Sequence, residues 1–260
     1  MRGAINDYID VAQLVLYAFW LFFIGLVIYL RREDKREGYP LDNDRANERV
    51  QIQGFPGIPQ PKTFDLSHGG TYQAPHADAG ERARDLKVWP NEAWPGAPLN
   101  PTGNPMLDGV GPAAWSLRAN APELDAEGHP RLAPMRHLPE FTIESRDPDP
   151  RGMLVIAGDG ATAGIVTDVW VDRSEPQIRF LEVEVQAAAG KRNVLVPIGF
   201  LKFDALRKQV KVRSILASQF ADVPGIAADD RVSLREEDRI AGYYAGGTLY
   251  ATPERFGPYL

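Results

Sequence analysis

Cysteine is absent from these 260 residues. That removes disulfides, thiolate nucleophiles, iron–sulfur clusters and cysteine-type zinc sites together. Histidine is scarce. His68, His76, His129 and His137 lie in polar stretches punctuated by proline and glycine, and none pair at HxxxH spacing. A histidine-based metal site is therefore not expected. Positive charge is also in deficit: a net charge of −6 and a pI near 5.3 do not suit a nucleic-acid binder. There is no glycine-rich phosphate loop, Ser/His/Asp arrangement or kinase signature. GDGATAG at 158–164 has the glycines but precedes a strand-like run, so a β-turn is expected there.

One apolar run is long. Residues 11–30 read VAQLVLYAFWLFFIGLVIYL, without a charge and with only Gln13 clearly polar. As a helix this run spans roughly 30 Å, the hydrocarbon thickness of a bilayer. Tyr29 falls where an interfacial aromatic anchor belongs. A cleaved signal peptide would instead need a basic lead, a shorter apolar core and a small-residue cleavage site. Here only Arg2 precedes the run, Asp7 and Asp10 flank it, and RREDKRE follows. A retained transmembrane helix over 11–31 is expected. Arg31, Arg32, Lys35 and Arg36 crowd its C-terminal side, which places residues 1–10 outside and the bulk of the chain in the cytoplasm.

From residue 32 to 140 proline and glycine dominate. Fourteen prolines lie between Pro56 and Pro139, in strings such as GFPGIPQP, WPGAP and NPTGNP, and they preclude long helices. Phe55, Phe64, Tyr72, Trp89, Trp94 and Trp115 argue against a solvated linker, since disordered chains are poor in aromatics. An extended segment wrapped over another surface accounts for both. From 141 to 225 the hydrophobic period becomes two. MLVIAG, GIVTDVWVD, IRFLEVEV, NVLVPI and QVKVRSI predict a small, bent antiparallel sheet or barrel, with Pro197 marking an edge or a bulge. From 226 to 260, Ser233-Leu-Arg-Glu236 is a capping box that opens a C-terminal helix. Gly246 and Gly247 make it a poor isolated helix, so it must pack on something.

The chemistry-bearing candidates are carboxylates. Alternation in IVTDVWVD puts Asp168, Trp170 and Asp172 on one face; Glu175 follows in the turn, and Glu182 and Glu184 lie on the return strand. PELDAEGHP adds Glu123, Asp125, Glu127 and His129 in a proline-bounded loop. A solvated outer face accounts for any one of these acids. A carboxylate pair for glycoside hydrolysis would need a cleft that a small sheet hardly provides. A third reading is proton conduction. Acids held close together with partial burial raise one another's pKa towards neutrality, the range in which a free imidazole changes charge.

The order of segments resembles the H subunit of the photosynthetic reaction centre of purple bacteria over essentially the whole chain. The resemblance is carried by REGYPL (36–41), PKTFDLSHG (61–69), PTGNPMLDGVGPAAW (101–115), PELDAEGH (122–129), DVWVD (168–172), RFLEVEV (179–185) and EEDRIAGYYAGGTLYA (236–251). The β-rich part also resembles the PRC-barrel module.

That resemblance implies a non-catalytic subunit of the bacterial intracytoplasmic membrane, N-terminus periplasmic, capping the L and M subunits on their cytoplasmic side. Those partners would hold bacteriochlorophyll, bacteriopheophytin, quinones, non-haem iron and carotenoid, and this chain no cofactor or metal. It further implies a proton path to the secondary quinone, entered near Asp125 and His129, continued by Asp172 and Glu175, with Arg179 as a basic partner. Glu127 stands where the family pattern has the first histidine of His-x-His; as an acid it could still gather protons at the entry, but a two-histidine entry or surface metal site is not expected. The Pro-rich segment would lie along L and M, beside a surrounding antenna. Arg31, Arg32, Lys35 and Arg36 would meet anionic lipid headgroups. For Asp168, Glu182 and Glu184, solvated decoration remains the expectation. The rival readings are a membrane-anchored PRC-barrel adaptor unrelated to photosynthesis and a membrane-tethered carboxylate hydrolase.

Overall fold

The computed structural model describes residues 10–43, 48–49, 53–67, 69–76, 86–94 and 97–255. The chain divides into two compact units, Met1–Asp85 and Leu86–Leu260. The stretch expected to be one extended segment, 32–140, is thus shared between them. Residues 1–9 of the expected periplasmic N-terminus, and His68, lie outside the described residues.

In the first unit, α1 (Val11–Asp34) begins at a reciprocal cap. The Asp10 carboxylate accepts from the Gln13 amide at 2.8 Å, and the Gln13 side chain accepts from the Asp10 amide at 3.2 Å. None of its residues is buried within the chain, although its apolar window has a mean hydropathy of 2.4. A helix apolar all round and bare on every side needs an apolar environment supplied from outside. The helix runs past the expected residue 31 because Arg31 and Arg32 favour the negative end of the helix dipole in the last turn. Two short antiparallel pairs follow, β1 (Asp42–Asn43) with β2 (Glu48–Arg49), and β3 (Lys62–Asp65) with β4 (Thr71–Ala74).

Lys35 and Arg36 fasten this unit. The Lys35 ammonium is 1% exposed and donates to the carbonyls of Gln53 (2.7 Å), Gly54 (3.0 Å) and Pro56 (2.7 Å). Arg36 clamps Glu33 through Nε and Nη2 at 2.8 and 2.9 Å, and its Nη1 reaches the carbonyls of Gln60 and Ala74. Prolines carry no N–H, so a Pro-rich stretch has surplus carbonyls, and buried ones need donors from side chains. Lys35 thus spends its three N–H donors on carbonyls, and Arg36 four of its five on Glu33 and two carbonyls. Arg31 and Arg32 do remain exposed.

The second unit is built on one sheet. Its order is β11 (Gly190–Pro197), β10 (Gln177–Ala187), β9 (Thr162–Asp172), β8 (Leu154–Ile156), β13 (Gln209–Val212) and β12 (Leu201–Asp204), with β7 (Leu132–Pro134) also on β9. Pro197 ends an edge strand, as its missing donor requires. The sheet is mainly antiparallel, but β8 and β13 pair in parallel, against expectation. That arrangement lets a distant strand complete the sheet, which stays open between β11 and β12. Trp170, Leu181, Val169 and Val183 are buried from both faces of the long β9–β10 hairpin, with Val196 of β11 buried beside Leu181. Short elements precede this sheet: the pair β5 (Val88–Pro90) and β6 (Leu99–Pro101), and one turn of helix, α2 (Pro105–Asp108).

The C-terminal helix α3 (Leu234–Tyr250) opens at the Ser233–Glu236 capping box. A Cβ on Gly242 would stand 2.8 Å from the Ala113 carbonyl, and one on Gly247 would stand 2.6 Å from the Ser214 carbonyl. Its glycines are there for close approach rather than flexibility. Amides of Leu234 and Arg235 donate to the carbonyls of Ala121 and Ala119. Part of the expected wrapping segment thus packs against this chain's own helix. Arg239 stacks 5.3 Å over the Trp115 ring. Phe55 (81%) and Trp89 (71%) remain largely exposed.

Candidate functional site: an arginine–carboxylate chain

The loop at 123–130 is self-bound. The Asp125 carboxylate accepts from the amides of Glu127 (3.1 Å) and His129 (2.8 Å), and the Asp125 amide donates to the His129 carbonyl. His129 Nδ1 lies 3.7 Å from Asp125 Oδ2, and Arg173 Nη1 lies 3.4 Å from the same oxygen. Burial would raise the Asp125 carboxyl. The two amides and Arg173 outweigh it and hold the group below the usual aspartate range. Glu127 and His129 are exposed on the loop.

Pairing of β7 with β9 sets Leu132 against Asp172 and so brings Arg131 to the β9 end. Arg131 Nε donates to both Asp172 oxygens, at 2.9 and 2.8 Å. Its Nη1 reaches Glu123 at 3.2 Å and its Nη2 reaches Glu175 at 3.5 Å. Asp172 is 1% exposed and also accepts from the amides of Ser174 and Glu175, each at 3.0 Å. Arg179 Nη1 stands 3.6 Å away. Burial pushes Asp172 up, but Arg131 and the two amides pull it further down. The expected mutual raising of clustered acids therefore does not occur at Asp172, because arginines face it from two sides. Glu175 is far more open, with 69% of its side chain exposed.

The raised acid is Glu237, in the first turn of α3. Its carboxyl is pushed up to about 7 by burial, with Glu123 and Asp172 adding to the rise and Arg179 and Arg118 opposing it. Arg179 Nη2 is 4.0 Å from Glu237 Oε2, too far for a hydrogen bond, and none from a protein donor reaches this carboxylate among the described residues. In sequence Glu237 looks like an ordinary dipole-matched first-turn acid. Arg131, between an acidic loop and a three-residue strand that contains proline, carries no signal of its own. Neither was legible in advance.

Asp168 and Glu182 are not solvated decoration: each is 5% exposed. Arg136 Nη1 bridges them at 3.0 and 2.6 Å, while Trp170 Nε1 (2.8 Å) and Asn193 (2.6 Å) donate to Glu182. Arg136, Asp168, Glu182 and Asn193 line a cleft of about 690 Å³. Glu184 is half-exposed and pairs with Lys191 at 2.7 Å. Among the described residues no group of three or more His, Asp or Glu is placed to hold a metal ion.

Two family models match. Residues 3–137 match the photosynthetic reaction centre, H-chain N-terminal region, and residues 143–219 match the PRC-barrel domain. The first covers more than half of the chain. It sets aside an adaptor unrelated to photosynthesis and a hydrolase, and makes the chain a structural subunit that associates with the reaction-centre core, with no catalytic role or cofactor of its own. The candidate membrane-spanning helix α1 fits a membrane-anchored subunit. The chain belongs to the photosynthetic reaction-centre H-chain family.

Proposed function

We propose that this chain caps the L and M subunits on their cytoplasmic side and passes protons towards the secondary quinone that they hold. The carrying observation is a pair of ion-pair runs, His129–Asp125–Arg173 and Glu175–Arg131–Asp172–Arg179–Glu237, which together include exposed and largely buried groups. Pigments, quinones, non-haem iron and carotenoid belong to the partners in this reading. Bare α1 lies in the bilayer, N-terminus periplasmic, and the exposed aromatics of the Pro-rich segment cover the core subunits. Arg31 and Arg32 remain the candidates for lipid headgroups, and antenna protein surrounds the assembly.

The roles divide by protonation state. Reduction of quinone to quinol consumes protons, which must cross from bulk water to a buried acceptor. Asp172 stays ionised and, with its arginines, sets the local field. Glu175 and His129, both open to solvent, collect protons. Glu237, with a carboxyl at about 7, is both protonated and ionised near neutrality and so can accept and release. Waters would bridge these groups, since the side chains do not form one unbroken hydrogen-bonded line.

The test is flash-induced transfer of the second electron to the secondary quinone in the intact complex. Glu237→Gln, and separately Asp172→Asn with Glu175→Gln, should slow it, most strongly at high pH where protons are scarce. Near-infrared pigment absorption co-purifying with each variant verifies assembly. Unchanged kinetics from pH 6 to 9 (~3 pH units about the midpoint of such a carrier) in an assembled complex would remove the proton path and leave the capping role.

A further inference from the structure

The β12–β13 hairpin is basic in an acidic chain. Lys202, Arg207, Lys208, Lys211 and Arg213 surround one acid, Asp204, although the whole chain carries −6. Asp204 is already neutralised by Lys211 (2.9 Å) and Arg207 (3.3 Å). The side chains of Lys202, Lys208 and Arg213 have no ion pair among the described residues. At the apex Leu206 is 99% exposed, and Phe203 is 38% exposed on the strand behind it.

Two features are unfavourable for folding alone. Lys202 and Lys211 stand directly opposite each other across the pair, and like charges so placed repel. Lys208 has a φ of +50°, in the region where a side chain is disfavoured and glycine or asparagine is the usual choice. Neither is needed to hold the hairpin, whose apolar side is secured by buried Val210 and Val212.

We infer that the β12–β13 tip, with Leu206 at its apex and Lys202, Arg207 and Lys208 around it, docks on an anionic lipid surface. A convex apolar knob ringed by cations suits an interface in which the knob enters the acyl boundary and the cations meet phosphates. Lys202, Phe203, Leu206, Lys211 and Arg213, with the paired Asp204 among them, also line a shallow groove of about 290 Å³, with room for a headgroup. The family anchors the chain to a membrane, so lipid is present at high local concentration and a weak contact suffices.

The absence of cysteine makes the test direct, because Leu206→Cys gives the full-length chain one labelling site. The labelled chain, carrying an environment-sensitive fluorophore, is placed in nanodiscs of phosphatidylcholine or of phosphatidylcholine enriched in phosphatidylglycerol. The expected result is a blue shift and quenching by headgroup-region nitroxide lipids in the anionic discs alone. Lys202→Gln/Arg207→Gln/Lys208→Gln should abolish both. Identical emission in the two lipids overturns the inference. So does a shift that appears only when core subunits are added and that nitroxide lipids do not quench, which would make the tip a protein contact.

Discussion

Arg131 holds both carboxylate oxygens of Asp172 on a single Nε, at 2.9 and 2.8 Å, while its other nitrogens reach Glu123 and Glu175. One guanidinium thus serves three acids from two distant parts of the chain. Removing it leaves Asp172 buried with its charge under-compensated. Arg131→Leu is expected to lower stability by about 3 kcal/mol, as read by thermal unfolding of the solubilised chain. Adding Asp172→Asn should recover part of that loss, since the two residues are coupled. Strict additivity of the two changes would refute the pairing as an energetic unit.

The sign of the Asp172 contribution fixes its pH window. Its folded carboxyl is depressed, so the stability it contributes is complete above the ordinary aspartate value of about 4 and is lost as pH falls through the folded value. Asp172→Asn should flatten that part of the acid-unfolding curve. A variant that retains the wild-type acid slope would mean that another group produces it.

Glu237 acts in the opposite direction. Its carboxyl rises from 4.5 to about 7 on folding, so between those values the folded state binds more protons than the unfolded one. Stability therefore falls as pH rises through this window and is level above it, by at most about 3 kcal/mol in all and less where solvent screens the group. Glu237→Gln should abolish the decline. Difference infrared spectroscopy should also lose a carboxyl band that titrates near neutrality in the wild type.

Gly247 faces the Ser214 carbonyl at 2.6 Å from where a Cβ would sit, with Ile215 crowding it as well. Gly247→Ala is expected to cost about 2–3 kcal/mol by forcing α3 away from the backbone of residues 214–215. Gly199 has no neighbour within 4 Å, and Gly199→Ala should stay within about 0.5 kcal/mol of wild type. Equal melting temperatures for the two variants would contradict the close packing.

Lys35→Met would leave three carbonyls without their donor. A loss of about 2 kcal/mol or more is expected locally, seen as faster proteolytic cleavage around residues 53–60 by mass spectrometry. Wild-type cleavage rates would show that the ammonium is dispensable to that loop.

Local pattern sufficed for α1, for the β9–β10 hairpin and for the Ser233–Glu236 cap, because an unbroken apolar run, a period of two and a capping spacing are properties of neighbours in sequence. It also sufficed for the family, through long strings in fixed order. What alternation could not say was which acids are buried. Asp168 and Glu182 looked like a wetted face, yet Arg136, 32 residues before Asp168 in the chain, covers them. Nothing beside Lys35 in sequence announced that the carbonyls of residues 53–56 would turn back to receive its ammonium. Asp172 is held ionised and Glu237 is raised because β7 brings Arg131 to one carboxylate while, among the described residues, no hydrogen-bond donor reaches the other. Charge state in a cluster depends on burial and on distances of a few ångströms between remote segments, and those distances exist only once the sheet has formed.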